Sequence, residues 1–309
     1  MSAGGGTKAI IAALLANAGI AVAKFIGYGI TGSSSMLAEA VHSVADTSNQ
    51  GLLLLGQKRA RREATQAHPF GYGRDRYFYS FVVALLLFSL GSVFALYEGF
   101  HKLEAHEPLI SPLVAVVILV VAIGLEILSF RTAIRESRPL KGNGTWWQFI
   151  RQAKSPELPV VLLEDAGALF GLILALGGVG LSMLTGDPVW DAIGTMCIGV
   201  LLGVIAIILI IETKSLLIGE GSGPAELDRI HTAMVGGGVD RVIHIKTQYL
   251  GPDELLIAAK IAVPAAMSTA EVALIINEAE TRVRGAVPAA RVIYLEPDLD
   301  RTSVTKQPQ

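Results

Sequence analysis

One cysteine, Cys197, is the only thiol in this 309-residue chain, and it lies inside an apolar run. An intrachain disulfide is therefore impossible, a cysteine-based metal site is excluded, and the residue carries no information on redox compartment. Charge is also scarce. Only 17% of residues are Asp, Glu, Lys or Arg and the formal net charge is −2. No basic arm or stripe stands apart from the loops, so nucleic acid has nothing to bind. There is no HExxH sequence and no serine or cysteine nucleophile with a partner base, which leaves an intramembrane protease or other enzyme without support. Internal repeats and low-complexity tracts are missing as well. The chain is instead 52% hydrophobic with a mean hydropathy of +0.54, too greasy for an ordinary soluble domain.

Six apolar stretches approach the roughly twenty residues that cross about 30 Å of hydrocarbon. They cover residues 8–31, 35–57, 77–100, 112–134, 158–184 and 188–213. "TGSSS" and "TGDP" leave room only for tight hairpins between the first and last pairs. The opening "MSAGGGTKAII" reads as the start of a retained first span rather than a signal peptide, and no Arg/Ser-rich presequence precedes it, which favours a prokaryotic plasma membrane. The loops "KRARREATQAHPFGYGRDR" and "RTAIRESRPLKGNGTWWQFIRQAK" are rich in Lys and Arg, whereas the opposite side has essentially Lys102. By the positive-inside rule both termini are expected in the cytoplasm.

After "IIETKSLLIGEG" the composition becomes mixed. "PAELDRIHTAM" reads as an amphipathic helix, and "RVIHIKTQYLG" and "ELLIAAKIAV" as strands turning at "GPD". "STAEVALIINEAETRV" reads as a helix with Ser268 or Thr269 at its N-cap and Glu271 close behind, and "ARVIYLEP" as a final strand. The order α-β-β-α-β suits a small two-layer α+β domain. The expected organisation is a six-helix membrane domain over 1–215, a cytoplasmic domain over 216–298 and a disordered tail over 299–309.

Within the second stretch, "AEAVHSVADTSNQ" carries His42 and Asp46 four residues apart. On a helix they share one face, the spacing two ligands need to hold one ion. Counted from Ser33 at 1.5 Å per residue they lie roughly 13 to 20 Å deep, where ionisable groups are costly and face a cavity or bundle interior. The plainer alternative is that they hydrogen-bond neighbouring helices as glue. Glu39, three residues before His42, falls near the same face, where it can orient His42 or pass protons to it, or sit at the outer rim. In "PVVLLEDAGALFGL", Glu164 and Asp165 are adjacent and so about 100° apart on a helix. Asp165 is the preferred ligand. Glu164 is left as a base behind the ligands, a ligand of a distorted site, or a residue of the cytoplasmic vestibule.

"SMLAEAVHSVADTSNQ", then "HPFGYGRDRYFYS", six apolar stretches and an α+β tail resemble the cation diffusion facilitators, the zinc-transporter-type efflux carriers, over residues 8 to about 298. The adjacent Glu-Asp pair resembles the SLC30A9 or ZnT9-like branch. The resemblance implies a homodimer with a ferredoxin-like tail. The first, second, fourth and fifth spans would enclose the metal, and the third and sixth would lie at the dimer axis. It implies export of a divalent cation, most often Zn(II), in exchange for protons by alternating access, with no permanently bound cofactor; Mn(II), Co(II) or Fe(II) efflux, or a scaffold whose site has decayed, are the alternatives. Carried onto this chain, the family ligands fall on His42, Asp46 and Asp165. Val161 stands where a fourth belongs, so water or Glu164 must complete the shell, and an oxygen-rich set discriminates less between metals. His68 matches one ligand of a peripheral site, but Thr65 and Tyr72 stand where others are expected, so "HPFGYGR" reads as a structural turn. His231, His244, Tyr294 and Glu296 are weak candidates for metal in the tail. Lys24 and Asn17 in the first span and Glu126 in the fourth are buried polar candidates. Glu126 either relays protons, fills the missing ligand place, or pairs with Lys24, the pairing being preferred. Glu98 and His101 are expected at the outer interface. Arg74 is expected to tie the cytoplasmic edge to Glu212 or Glu220.

Overall fold

The computed structural model describes residues 4–105 and 111–299. Two compact units emerge: residues 1–61 with 75–214, and residues 62–74 with 215–309. The basic loop 62–74, which the sequence assigns to the membrane part, thus groups with the tail. The expected disordered tail falls, apart from Leu299, outside the described residues.

Long helices occupy all six apolar stretches. They are α1 (Gly4–Thr31), α2 (Ser34–Ala60), a rod made of α3 (Asp75–Leu86), a π-helical segment (Leu87–Val93) and α4 (Phe94–Ala105), then α5 (Pro112–Lys141), α7 (Glu157–Thr185) and α8 (Val189–Ile218). A short α6 (Trp146–Gln152) starts in a capping box, where Thr145 Oγ1 accepts from the Gln148 amide and Gln148 reaches back to the Thr145 amide. Among the described residues, four of these helices are long and apolar enough to cross a membrane: Asp75–Ala105, Pro112–Lys141, Glu157–Thr185 and Val189–Ile218. Large apolar side chains such as Leu184, Val117 and Leu128 point outward from them, exposed by 84%, 62% and 61%. That is the inverse of a soluble core and suits a lipid solvent.

Within this unit α2 is the central post, packing on α1, α3 and α7, while α5 packs on α7 and α1. Lipid gives helices no hydrophobic reason to associate, so close approach of small residues carries the packing. The α3–α4 rod and α8 show it: Ser92 Oγ donates to the Gly199 carbonyl at 2.8 Å, and a side chain on Gly199 would strike Leu96. The α1–α2 hairpin turns at Gly32, whose φ of +62° favours glycine. Ser33 then caps α2 by accepting from the Met36 amide.

The tail unit contains α9 (Pro224–Met234), β1 (Arg241–Gly251), β2 (Glu254–Ala262), α10 (Thr269–Ala286) and β3 (Ala290–Asp298). The sheet order is β1-β2-β3. β1 pairs antiparallel to β2, with Thr247 opposite Ile257, and β2 pairs parallel to β3, with Ile257 opposite Ile293. Alternation along β2 buries Leu255, Ile257, Ala259 and Ile261 on one face, where Ile275, Ala279 and Val283 of α10 and Ile230 and Met234 of α9 complete the core. Ser268 is the α10 N-cap and forms a reciprocal capping box with Glu271. Its amide and hydroxyl hold the Glu271 carboxyl below its usual range.

Candidate metal centre

The helix spacing of His42 and Asp46 produces the contact it predicts, with His42 Nε2 3.5 Å from Asp46 Oδ2. His42 is fully buried. Both of its ring nitrogens, Asp46 Oδ1 and the Asn49 side-chain oxygen are buried without a hydrogen-bond partner. Buried polar atoms are nearly always satisfied, so four such atoms on successive turns of one helix stripe mark that stripe as unusual.

Glu164 and Asp165 face this stripe from α7, both buried. Their separation around the helix gives each a different neighbour. Asn49 Nδ2 on α2 donates to Glu164 Oε1 at 2.7 Å, and Ser129 Oγ on α5 donates to Asp165 Oδ2 at 2.9 Å. Glu126 lies one turn before Ser129, and the Asp46 carboxyl interacts electrostatically with Glu164, Glu126 and Asp165. Val161 is half-buried and packs into the apolar core. Among the described residues no three His, Cys, Asp or Glu side chains converge tightly enough to chelate one ion. The α7 carboxylates are each tied instead to a neutral donor from a different helix.

Lys24 corrects one expectation. Its ammonium pairs with Glu39, not Glu126: Nζ is 3.0 Å from Glu39 Oε2 and donates to Ser43 Oγ at 2.8 Å. Lys24 and Glu39 are 1% and 0% exposed, so Glu39 belongs to a buried ion pair one turn from His42 rather than to an outer rim. A Cβ added at Gly171 of α7 would sit 2.5 Å from Glu39 Oε1, which shows how tightly that carboxylate is pressed against the α7 backbone. Asn17 is half-buried two turns earlier on α1.

At the other end of α2 lies a cluster the sequence did not reveal. The buried Asp191 at the start of α8 accepts from Ser33 Oγ at 3.0 Å, the Ser34 amide at 2.9 Å and Ser34 Oγ at 3.1 Å, and also from Ser35 Oγ. A carboxylate over the first turn of α2 satisfies orphan amides and complements the helix dipole. Lys102 Nζ donates to the Gly32 carbonyl in the adjoining turn at 3.1 Å. Glu98 is half-buried nearby, and His101 is exposed and stacks on Tyr97.

The remaining candidates fall elsewhere. Glu212 lies 3.3 Å from Arg151, and Arg76, two residues beyond Arg74, pairs with Glu157, so the ties expected of Arg74 are made in the membrane unit by other arginines. Arg74 itself is exposed and belongs to the tail unit with Glu220. His68 closes a turn with Thr65 through backbone bonds of 3.0 and 3.2 Å and packs its ring on Tyr72. In the tail, His231 is exposed on α9. His244, Lys260 and Glu296 occupy one row of the sheet, where Lys260 binds Glu296 at 2.9 Å.

Two comparisons bear on this arrangement. Residues 10–218 match the cation efflux transmembrane domain, and the chain belongs to that family of cation transporters, integral membrane proteins rather than enzymes. Among curated relatives it is 34% identical over 258 residues to the proton-coupled zinc antiporter SLC30A9, mitochondrial, of Xenopus laevis, covering 82% of this chain and 46% of that protein. It is 30% identical over 259 residues to metal tolerance protein C4 of Arabidopsis thaliana, covering 82% of this chain and 56% of that one. A shorter match, 32% over 119 residues, covers 38% of this chain and 36% of zinc transporter ZitB of Pectobacterium atrosepticum. The chain spans about half the length of the first two relatives.

Proposed function

We propose that this protein is a secondary transporter that carries a divalent cation, Zn(II) first, across the membrane in exchange for protons. The observation that carries the reading is the buried His42–Asp46 pair, in contact at 3.5 Å while neither ring nitrogen has a hydrogen-bond partner, set against Glu164, Asp165 and Glu126 on neighbouring helices. Ionisable groups at such depth are kept where an ion path needs them. The imidazole and three carboxylates of His42, Asp46, Asp165 and Glu164 fit zinc, which accepts mixed nitrogen and oxygen ligands. The oxygen-rich set also admits Mn(II), Co(II) or Fe(II), so all four belong in the transport screen.

In this mechanism the cation enters from the cytoplasm and displaces protons from the site, because ligands must be deprotonated to bind. Rocking of the bundle opens the site to the far side, where protons compete the metal away. The reprotonated, neutralised site then returns through lipid at lower cost than a bare cluster of carboxylates. Coupling arises from that competition. Lys24 and Glu39 hold a charge-balanced pair beside the site, and Glu126 stands ready to pass protons.

In the same reading all six long helices span the bilayer, with both termini on the cytoplasmic side of a prokaryotic plasma membrane, as the basic loops direct. The tail is a ferredoxin-like domain of a homodimer, and its two helices on one face of a three-stranded sheet support that relation. Loss of metal-driven proton flux in reconstituted vesicles when His42 or Asp46 is replaced by Ala tests the site. A protein that moves no cation at all would be the scaffold alternative.

A further inference from the structure

Where the resemblance expects a fourth ligand, α7 carries Val161, which packs into the apolar core, and a polar side chain reaches α7 from α2 instead. Asn49 is fully buried. It lies three residues after Asp46 and seven after His42, on the same helix stripe. Its amide nitrogen donates to Glu164 Oε1 at 2.7 Å, and its oxygen is buried without a partner. An asparagine is a poor helix former and a costly group to place deep in a bundle, so its presence needs a reason. Helix-to-helix glue is one candidate, but glue is served by any hydroxyl or small residue. A donor to a buried carboxylate does something more specific: it fixes one carboxylate oxygen and leaves the other, Oε2, as the atom able to bond an ion. Residues behind the ligands orient metal-binding carboxylates in just this way, and removing them weakens metal affinity about 10- to 100-fold.

We propose that Asn49 is a positioning residue that holds Glu164 as the carboxylate completing the ion's shell in place of the donor missing at Val161. The inference rests on the transport reading above and adds to it a residue outside the His42–Asp46 spacing. It also accounts for the adjacent acids: Asp165 is oriented by Ser129 from α5 and Glu164 by Asn49 from α2, so each α7 carboxylate is held by a neutral donor from a different helix.

The test is Zn(II) binding to the purified full-length protein in detergent by titration calorimetry, across wild type, Asn49→Ala, Glu164→Ala and the double variant. Asn49→Ala should raise the Kd about 10- to 100-fold, Glu164→Ala by a comparable factor, and the double variant should bind no more weakly than Glu164→Ala alone. A role of Asn49 independent of Glu164 predicts the opposite for the double variant, since the two losses would then multiply. That result, or a Kd for Asn49→Ala within about twofold of wild type, overturns the proposal. Asn49→Asp, which keeps the shape but replaces the donor by an oxygen, gives the same comparison if the alanine variant does not fold, and should lose as much. Failure of the transport reading is separate: wild type itself would bind no divalent cation, or His42→Ala would bind as tightly as wild type.

Discussion

Replacing Lys24 by Met removes one half of an ion pair that has almost no contact with solvent. The Lys24 Nζ to Glu39 Oε2 distance is 3.0 Å, which at an effective dielectric of about 20 corresponds to an attraction of about 5 to 6 kcal/mol. Most of that attraction offsets the cost of dehydrating the two groups, so the pair adds little net stability over an apolar pair of the same volume. Deleting one partner is different, because Glu39 then remains buried, pressed on Gly171, with its other oxygen already unpartnered. The expected loss is about 3 to 5 kcal/mol, which for a helical unit of this size lowers the melting temperature by roughly 6 to 20 °C. Lys24→Met with Glu39→Leu should recover most of the loss. Ser43→Ala, which removes the hydroxyl that accepts from the Lys24 ammonium at 2.8 Å, should cost about 1.5 to 3 kcal/mol. The assay is thermal unfolding of the detergent-purified protein followed by intrinsic fluorescence. A Lys24→Met variant within about 1 kcal/mol of wild type, or a double variant as unstable as the sum of its parts, would refute the argument.

Two further predictions concern the Asp191 cluster and the tail. Asp191→Asn turns one acceptor oxygen into a donor facing three serines, and should cost about 2 to 3 kcal/mol while lowering amide protection in the first turn of α2; unchanged hydrogen exchange there would contradict the clamp. In the tail, burial first, and then the hydrogen bond to Glu226 with its charge, pushes the Tyr249 hydroxyl up from its usual value, the bond being 2.7 Å. A raised pKa means the folded state holds the proton more tightly, so this contribution is complete below about pH 10 and fades as pH rises above it. Tyr249→Phe should flatten that alkaline decline in chemical unfolding of the tail, and an identical slope in both proteins would exclude Tyr249 as its source.

How much of this was legible in the sequence depended on the distance over which each signal acts. The helices were readable because lipid demands long apolar runs, and the tail strands because alternation and the Gly-Pro-Asp turn are local. The His42–Asp46 contact followed from helix periodicity alone. Partners between helices did not: Asn49 and Glu164 are 115 residues apart, and Ser34 and Asp191 are 157 apart. Each of these side chains alone looks like an ordinary polar residue at a helix face or end. Lys24 was within reach, since folding the chain back at "TGSSS" sets it at a rise between those of Glu39 and Ser43. Glu126 was the weaker partner because nothing local fixed its height relative to Lys24.

The most direct measurement is metal uptake into proteoliposomes carrying an outward or inward pH gradient, for wild type, His42→Ala and Asp46→Ala at matched reconstitution. The account predicts Zn(II) movement by wild type that reverses with the proton gradient, accompanied by proton counterflux, and no gradient-driven uptake above protein-free vesicles in either variant. Uptake retained in either variant, or wild-type flux indifferent to the gradient, would contradict it.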